Sequence, residues 1–571
     1  MDFFFFIFSV ILVVRGYFII FFFRKSDLMN KIKIFSLGGL NENGKNSYII
    51  EIDENLFVFD CGLKYANDSM FGIDYIIPDY DYLLKNKDRI VGVFLTHAHP
   101  ENMGGIHDLC EMIPTLKVYC TKYTKKYLEL EGFEGNIYEV QAHKKITFGD
   151  LSLFPISVTH SVPDAVMYVI NTKDGAIVYT GDFIIDPSMH GKYNMDIGKI
   201  AYIGKQGVLC MLSDSVFSEK SGHTSPNHRL TNFFRDSINR AEGRLIFTVL
   251  PIHLFTIEEI FDAAKSTRRK VVVMGKKLQS VINMAIEEKY ISIDEDILGD
   301  LSNINDNNVI LLVCDDKAKP YAAIDRIVSG YDKFIKLNKT DTVLFAEPRY
   351  DENEKIIVRL ENEIAMMGAE SIAIPKSKEI TQHASSEDLM LMIDLLKPKY
   401  YMPVEGEYRY MVNNANIANS LGIKSENIIL KTNGEVVKIE NKVLKECFDK
   451  VEINDILIDG NSNDDIGELV IKDREMLSEN GIVLISATLS KDTKEVLVGP
   501  EVTTRGFIYI KDSKEMIEHI KSISLDIIKD NINNNYVDYN SIKVQIREEL
   551  SKYFYNETEC KPMIIAVIQE V

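Results

Sequence analysis

The sequence predicts a multidomain α/β protein, and three observations carry that expectation. From Met29 to about 215, short apolar runs alternate with turn signals, and several runs end in a polar residue followed by Gly or Pro. From about 230 to 375 the rhythm becomes regular strand–helix alternation, which suits an open, mostly parallel sheet. The last hundred residues alternate strand and helix once more, after a polar segment running from Asp459 to Asp465. A single core rarely grows beyond about 300 residues, so a chain of 571 holds at least two.

Composition narrows the function classes. Apolar residues are 46% and charged residues 26%, a balance that excludes a disordered chain or a low-complexity fibre. With 65 Lys plus Arg against 85 Asp plus Glu, the net charge is −20. That excludes a basic, coat-like nucleic-acid binder but leaves room for a local groove. Seven scattered cysteines contain no C-x-x-C pair, which predicts a reducing, cytoplasmic setting without a disulfide framework.

Taking the elements in order, residues 1–28 stand apart. Met1 to Phe23 is almost wholly Phe, Ile, Val and Leu, with Arg24 and Lys25 after it. Its length and basic flank suit a membrane anchor. Arg15 in its middle argues against one, because a cation is costly in lipid. The preferred reading is a start site placed too early, with translation beginning at Met29 and no stable membrane association. Beyond it, strands are expected at Leu56–Asp60, Val91–Thr96, Ile146–Pro155 and Ala176–Thr180, and a helix at Thr121–Glu131. The alternating region places strands at Arg244–Leu250, Lys270–Met274, Val309–Cys314, Thr342–Ala346 and Ser371–Ile374. Helices Ile257–Ser266 and Lys355–Met367 lie between them. A helix at Glu387–Leu396 and a strand at Tyr400–Val404 follow.

The chemistry concentrates at strand ends. In Leu95-Thr-His97-Ala-His99-Pro-Glu101-Asn102-Met-Gly104-Gly105, two histidines spaced i, i+2 on an extended loop project to one side and can share a metal ion. Glu101 sits at a helix start, where an anionic oxygen ligand is tolerated. His160 in Val158-Thr-His160 and Asp182 in Thr180-Gly-Asp182 also fall at strand ends. Together His97, His99, His160 and Asp182 make a four-ligand N/N/N/O set. The remaining histidines at 107, 143, 190, 223, 228, 253 and 519 match no ligand pattern and read as surface or structural.

These motifs resemble the metallo-β-lactamase pattern H-x-H-x-D-H, distant His, T-G-D. The resemblance to the ribonuclease J family extends through Phe59-Asp60-Cys61-Gly62, Leu212-Ser-Asp-Ser215, His383-Ala-Ser385, Pro403-Val404 with Gly406-Glu-Tyr-Arg409, and Thr504-Arg-Gly-Phe507. It implies a metallo-β-lactamase αββα sandwich with an inserted β-CASP α/β domain and a small C-terminal α/β domain. The implied division is 29–226 and 379–450 for the sandwich, 227–378 for the insert, 451–468 for a linker and 469–571 for a C-terminal oligomerisation domain. The resemblance also implies a 5′→3′ exoribonuclease with endonuclease activity, acting in mRNA decay and rRNA maturation with up to two zinc ions. Its partners would be RNA and either a second copy or a ribonuclease J paralogue.

The chain departs from the family pattern. The first metal's implied ligands, His97, His99, His160 and Asp182, are all present. The second metal's positions read Glu101, Asn102 and Glu405, with Asp182 bridging. Oxygen donors suit Mn²⁺ or Mg²⁺ better than zinc. The family's phosphate-holding loop reads Glu379-Ile380-Thr381-Gln382-His383, with Ser385 just beyond, and Glu379 would repel a polyanion. Asp182, His383 and Glu101 are the catalytic candidates, with a proton-donor or phosphate role for His383. The expected protein is a weakened ribonuclease resembling the degenerate second paralogue of the family. The alternatives are an inactive RNA-binding or scaffolding subunit beside an active paralogue, and a hydrolase of a small substrate. The insert and the C-terminal domain argue against the last.

Overall fold

The computed structural model describes all residues except 1–6, 15–16, 25–29, 68–69, 71, 295, 315–320, 348–353, 376–377, 379–382, 461–467, 508–513 and 534–535. The chain divides into two compact units, one of residues 1–64 and 77–455, the other of residues 65–76 and 456–571. Within the N-terminal apolar run, Ile7–Val14 and Tyr17–Arg24 pair as an antiparallel hairpin. Among the described residues no helix is long and apolar enough to cross a membrane. Met29, the expected start, lies outside the described residues.

The larger unit is built on two facing sheets. The first has eight strands, in the order 136–139, 117–120, 90–94, 55–59, 47–52, 31–38, 437–440, 443–445. The second has six, in the order 146–148, 151–157, 166–172, 175–179, 208–214, 400–404. Side chains alternate faces along a strand, and Val166–Thr172 shows the consequence. Val166, Tyr168 and Ile170 join a core with Phe57, Phe59 and Phe94 of the eight-stranded sheet. Met167 and Val169 face the other way, into a second core with Ile200, Leu389, Met392 and Ile417 from the helices Ile197–Gln206, Ser386–Leu396 and Tyr408–Ser420. Two sheets with helices outside bury both faces of the six-stranded sheet. That is why its strands read as continuous apolar runs.

A third sheet of five parallel strands has the order 270–274, 309–313, 245–248, 342–345, 370–373. Its chain leaves the six-stranded sheet after Val208–Asp214 and returns to the neighbouring strand Tyr400–Val404, which pairs in parallel with it. The α/β segment is therefore spliced between two adjacent strands and can be inserted without breaking their pairing.

One expected element divides. Ile146–Pro155 is not a single strand: Ile146–Phe148 and Leu151–Ser157 form an antiparallel hairpin. Gly149 turns the chain at φ +59°, a conformation few other residues adopt cheaply. The smaller unit has its own three-stranded sheet, in the order 496–505, 482–489, 563–570, and its own core around Val483, Ile485, Ile520, Ile546 and Phe554.

Candidate metal centre

The site forms where strands of the two facing sheets end. Strand Ile90–Phe94 runs into the loop carrying His97 and His99. Asp60, just past strand Asn55–Phe59, anchors this loop from below: its carboxylate accepts from the Thr96 backbone N–H at 2.7 Å and from Thr96 Oγ1. The same carboxylate accepts from Asn102 Nδ2 at 3.0 Å and from the Tyr179 hydroxyl at 2.7 Å. Burial nonetheless pushes its pKa up to about 6, against the pull of these donors. Thr96 Oγ1 lies 2.9 Å from His97 Nδ1, which turns the other ring nitrogen toward the centre. Glycine supports the same loop: a Cβ on Gly62 would stand 1.6 Å from the Glu101 carbonyl oxygen, so only glycine permits that approach.

His160 follows strand Leu151–Ser157, and Thr159 holds its loop by donating to the Tyr193 carbonyl at 2.7 Å. Asp182 follows strand Gly175–Tyr179 through Gly181, whose φ of +55° turns the chain back over Thr96. Three loops from three different strands thus deliver four side chains to one point.

His97, His99, His160 and Asp182 are all buried, and their ligand atoms lie within 4.8 Å of one another. The three imidazole centroids are 4.4–4.7 Å apart. His97 Nε2 is 3.4 Å from Asp182 Oδ2, and His99 Nδ1 is 3.1 Å from His160 Nε2. Desolvation lowers the His97 pKa to about 3 and also lowers that of His99, with the neighbouring rings adding to the effect. The His97 and His99 imidazoles are therefore neutral, the form that offers a lone pair. Burial and the nearby Glu405 carboxylate drive the Asp182 carboxyl up. His97 Nε2 and Asp182 Oδ1 are buried without a hydrogen-bond partner. Buried polar atoms are nearly always satisfied, so a cluster of unsatisfied ones is what a cation-binding centre leaves.

The structure also gathers a second set. Asp182, His383 and Glu405 have ligand atoms within 4.8 Å of one another, and Glu405 Oε2 is buried and unpartnered. Glu405 follows strand Tyr400–Val404 in the left-handed region at φ +59°, and its Oε1 accepts from Asn46 Nδ2 at 2.7 Å. Burial raises its pKa to about 7, with Asp214 adding to the rise. Glu101 belongs to neither set among the described residues, and burial raises its carboxyl above the usual range. Asn102 is fully buried with its amide nitrogen committed to Asp60. Ser385 is buried, precedes the helix Ser386–Leu396 and shares a 2.9 Å hydrogen bond with Thr224 Oγ1. Glu379, Ile380, Thr381 and Gln382 lie outside the described residues.

Two functional candidates, His253 and Glu347, have no motif in the sequence. His253, read as surface or structural, is buried, and its ring centroid is 5.9 Å from that of His99. Its Nδ1 is 2.8 Å from Glu347 Oε2, so the five-stranded α/β segment contributes an imidazole–carboxylate pair beside the centre. They are 94 residues apart in sequence, and only the parallel sheet brings them together. Arg409 pairs with Glu407 at 2.9 Å and lies over the Tyr410 ring, lining an open cavity of about 550 Å³ with Asn41, Glu42 and Lys64.

Comparison with known proteins agrees with this architecture. Residues 40–194 match the metallo-beta-lactamase superfamily, residues 242–364 the ribonuclease J beta-CASP domain, and residues 469–571 the ribonuclease J C-terminal domain. Ribonuclease J2 of Bacillus subtilis (strain 168) is 36% identical over 557 residues, covering 96% of this chain and 100% of that protein. Ribonuclease J 2 of Staphylococcus aureus (strain NCTC 8325 / PS 47) is 32% identical over 551 residues, covering 95% and 98%. In fold alone, a crystal structure of an Enterococcus faecalis V583 protein of unknown function is similar, with a TM-score of 0.52 at 16% identity, covering 72% of this chain and 100% of that one. With three successive segments matched and relatives aligned end to end, the chain belongs to the ribonuclease J family, a metallo-β-lactamase fold with a β-CASP segment and a ribonuclease J C-terminal domain.

Proposed function

We propose that this chain is a metal-dependent ribonuclease of low turnover, acting 5′→3′ with some internal cleavage in mRNA decay and rRNA maturation. The observation that carries the reading is the convergence of three buried imidazoles on Asp182, with His97 Nε2 and Asp182 Oδ1 left unsatisfied. Three nitrogens and one oxygen within reach of one another suit zinc. A divalent cation held by His97, His99, His160 and Asp182 would lower the pKa of a water and polarise a phosphodiester. The residues' own part is orientation: Asp60 and Thr96 hold His97, while Asp182 faces both ligand sets. Low turnover draws support from Asn102, whose nitrogen donates to Asp60 and which leaves only a neutral amide oxygen to face a cation.

The proposed division is a sandwich of 29–226 with 379–450, an insert of 227–378, a linker of 451–468 and an oligomerisation domain of 469–571. Its proposed partners are RNA and a second copy or a ribonuclease J paralogue. The same Asn102 contact favours a second reading, an inactive RNA-binding subunit beside an active paralogue. One experiment separates the two. Purified protein is loaded with zinc or Mn²⁺ and incubated with 5′-monophosphorylated RNA labelled at each end. Slow degradation abolished by His97→Ala supports the ribonuclease. Binding without any cleavage supports the inactive subunit.

A further inference from the structure

We infer that Tyr290, in the inserted α/β segment, is a positioning residue for the metal centre: through Asp164 it holds in place the loop that carries His160. This rests on the metal-dependent reading above and adds to it a residue outside both ligand sets.

His160 is delivered by a short loop, and metal–ligand distances have to be kept within about 0.2 Å. One backbone bond closes that loop, from the Val158 N–H to the Ala165 carbonyl at 3.0 Å. Inside it, Asp164 stands in the left-handed region at φ +57°, a conformation that a non-glycine residue keeps only where its surroundings hold it. The same loop bears on a second ligand, since Ser161 Oγ lies 3.3 Å from His99 Nε2. A shift of the loop therefore disturbs two of the three imidazoles.

The holding contacts come from the inserted segment. The Tyr290 hydroxyl donates to Asp164 Oδ2 at 2.5 Å, across 126 residues of sequence. Tyr290 follows the helix Lys276–Glu287 and is buried. Its ring meets the Tyr123 ring edge-on with centroids 5.1 Å apart, which gives the hydroxyl a fixed direction. The Phe255 backbone N–H, in the first turn of the helix Leu254–Thr267, donates to the Ser161 carbonyl at 3.1 Å. The Asp164 N–H donates to the Lys192 carbonyl at 2.9 Å, and Lys192 Nζ in turn pairs with Glu258 of that helix at 3.0 Å. The loop is thus gripped on both sides of Pro163. Of these grips the Tyr290 hydroxyl is the one that a single atom's removal releases, because phenylalanine keeps the ring where it is. Groups that orient a ligand from behind typically matter 10–100-fold in metal affinity.

The test uses the full-length protein and Co²⁺, a stand-in for zinc whose visible absorption reports ligand geometry. Titration gives the affinity of the three-histidine set, identified as the band that His160→Ala removes. Tyr290→Phe should weaken that affinity about tenfold and alter the band. Asp164→Asn keeps an acceptor and tolerates the left-handed backbone, so it should stay close to wild type. Asp164→Ala should lose at least as much as Tyr290→Phe, and the two together should lose no more than Asp164→Ala alone, because the hydroxyl then has no carboxylate to hold. Circular dichroism and the thermal midpoint of the metal-free proteins follow the fold. An unchanged Co²⁺ affinity and band in Tyr290→Phe overturns the positioning role, even where the thermal midpoint falls, and leaves the metal-dependent reading standing. An added loss in the double variant also overturns it, since Tyr290 would then not act through Asp164. Should Tyr290→Phe fail to fold, equal affinities in Asp164→Ala and Asp164→Asn overturn it. No such band in the wild-type protein overturns both readings.

Discussion

At the residue scale the most consequential side chain is Asp60, which belongs to neither ligand set. Its carboxylate collects Thr96, Asn102 and Tyr179 and so fixes the loop that carries His97 and His99. Tyr179→Phe removes one hydrogen bond to a buried carboxylate, a loss of about 1.5–3 kcal/mol. It should lower the thermal midpoint and weaken Mn²⁺ binding at the three-histidine set, read by differential scanning calorimetry and dialysis. Unchanged metal affinity would show that the loop does not depend on this anchor. Glu259, in the α/β segment, makes a pH prediction. Its Oε1 accepts from the Leu230 and Thr231 backbone N–H groups and from Thr231 Oγ1, yet burial raises its pKa from 4.5 to about 7. Between those two values the folded state binds the proton more tightly than the unfolded chain. Stability contributed by this group is therefore present below pH 4.5, falls as pH rises, and is fully lost above pH 7. The shift corresponds to about 3 kcal/mol as an upper figure. Glu259→Gln should gain stability relative to wild type at pH 8 and not at pH 4.5, measured by urea denaturation at both. An equal effect at both pH values would refute the assignment.

At the element scale the five parallel strands are tied at one end by a buried ion pair. Arg244, beside strand Leu245–Thr248, meets Asp341, beside strand Thr342–Phe345, through Nε at 3.0 Å and Nη2 at 2.5 Å. Its other contacts reach the Ile304 and Lys336 carbonyls, so each guanidinium nitrogen has a partner. Arg244→Met leaves Asp341 buried without its partner and should cost about 3–5 kcal/mol. The double variant Arg244→Met/Asp341→Leu should recover part of that loss, because no charge is then stranded. Urea titrations of the three proteins check both statements; a double variant no better than the single one would mean the pair is not the main tie.

At the scale of the whole molecule, the smaller unit carries the assembly prediction. Among the described residues its sheet ends on two edge strands, Val496–Arg505 and Met563–Glu570. Leu497 and Val498 on the first are more than half exposed, and Ile565 on the second is 40% exposed. An unpaired strand edge with apolar side chains tends to find another strand. Light scattering of the full-length protein should give at least the mass of a dimer, and Leu497→Lys with Val498→Lys should halve it. A monomer mass before substitution would remove the second copy as a partner.

The local chemistry was readable from the chain itself because it is contiguous. His97-Ala-His99 announces two ligands on one loop, and Asp60, Gly62, His160 and Asp182 sit at strand ends that hydrophobic runs reveal. The same runs showed three regions of α/β rhythm, since apolar periodicity reports burial directly. What the chain could not show is which distant residues meet. His253 stands beside His99 because a parallel sheet is spliced between strands Val208–Asp214 and Tyr400–Val404. Asn102 is tied through its amide nitrogen to Asp60, 42 residues before it, and His383 is aimed by Asp214, 169 residues before it. Strand ends are local and carry their own signature. Which side chain faces which across a centre is set by sheet order and register, and only the folded chain contains that information.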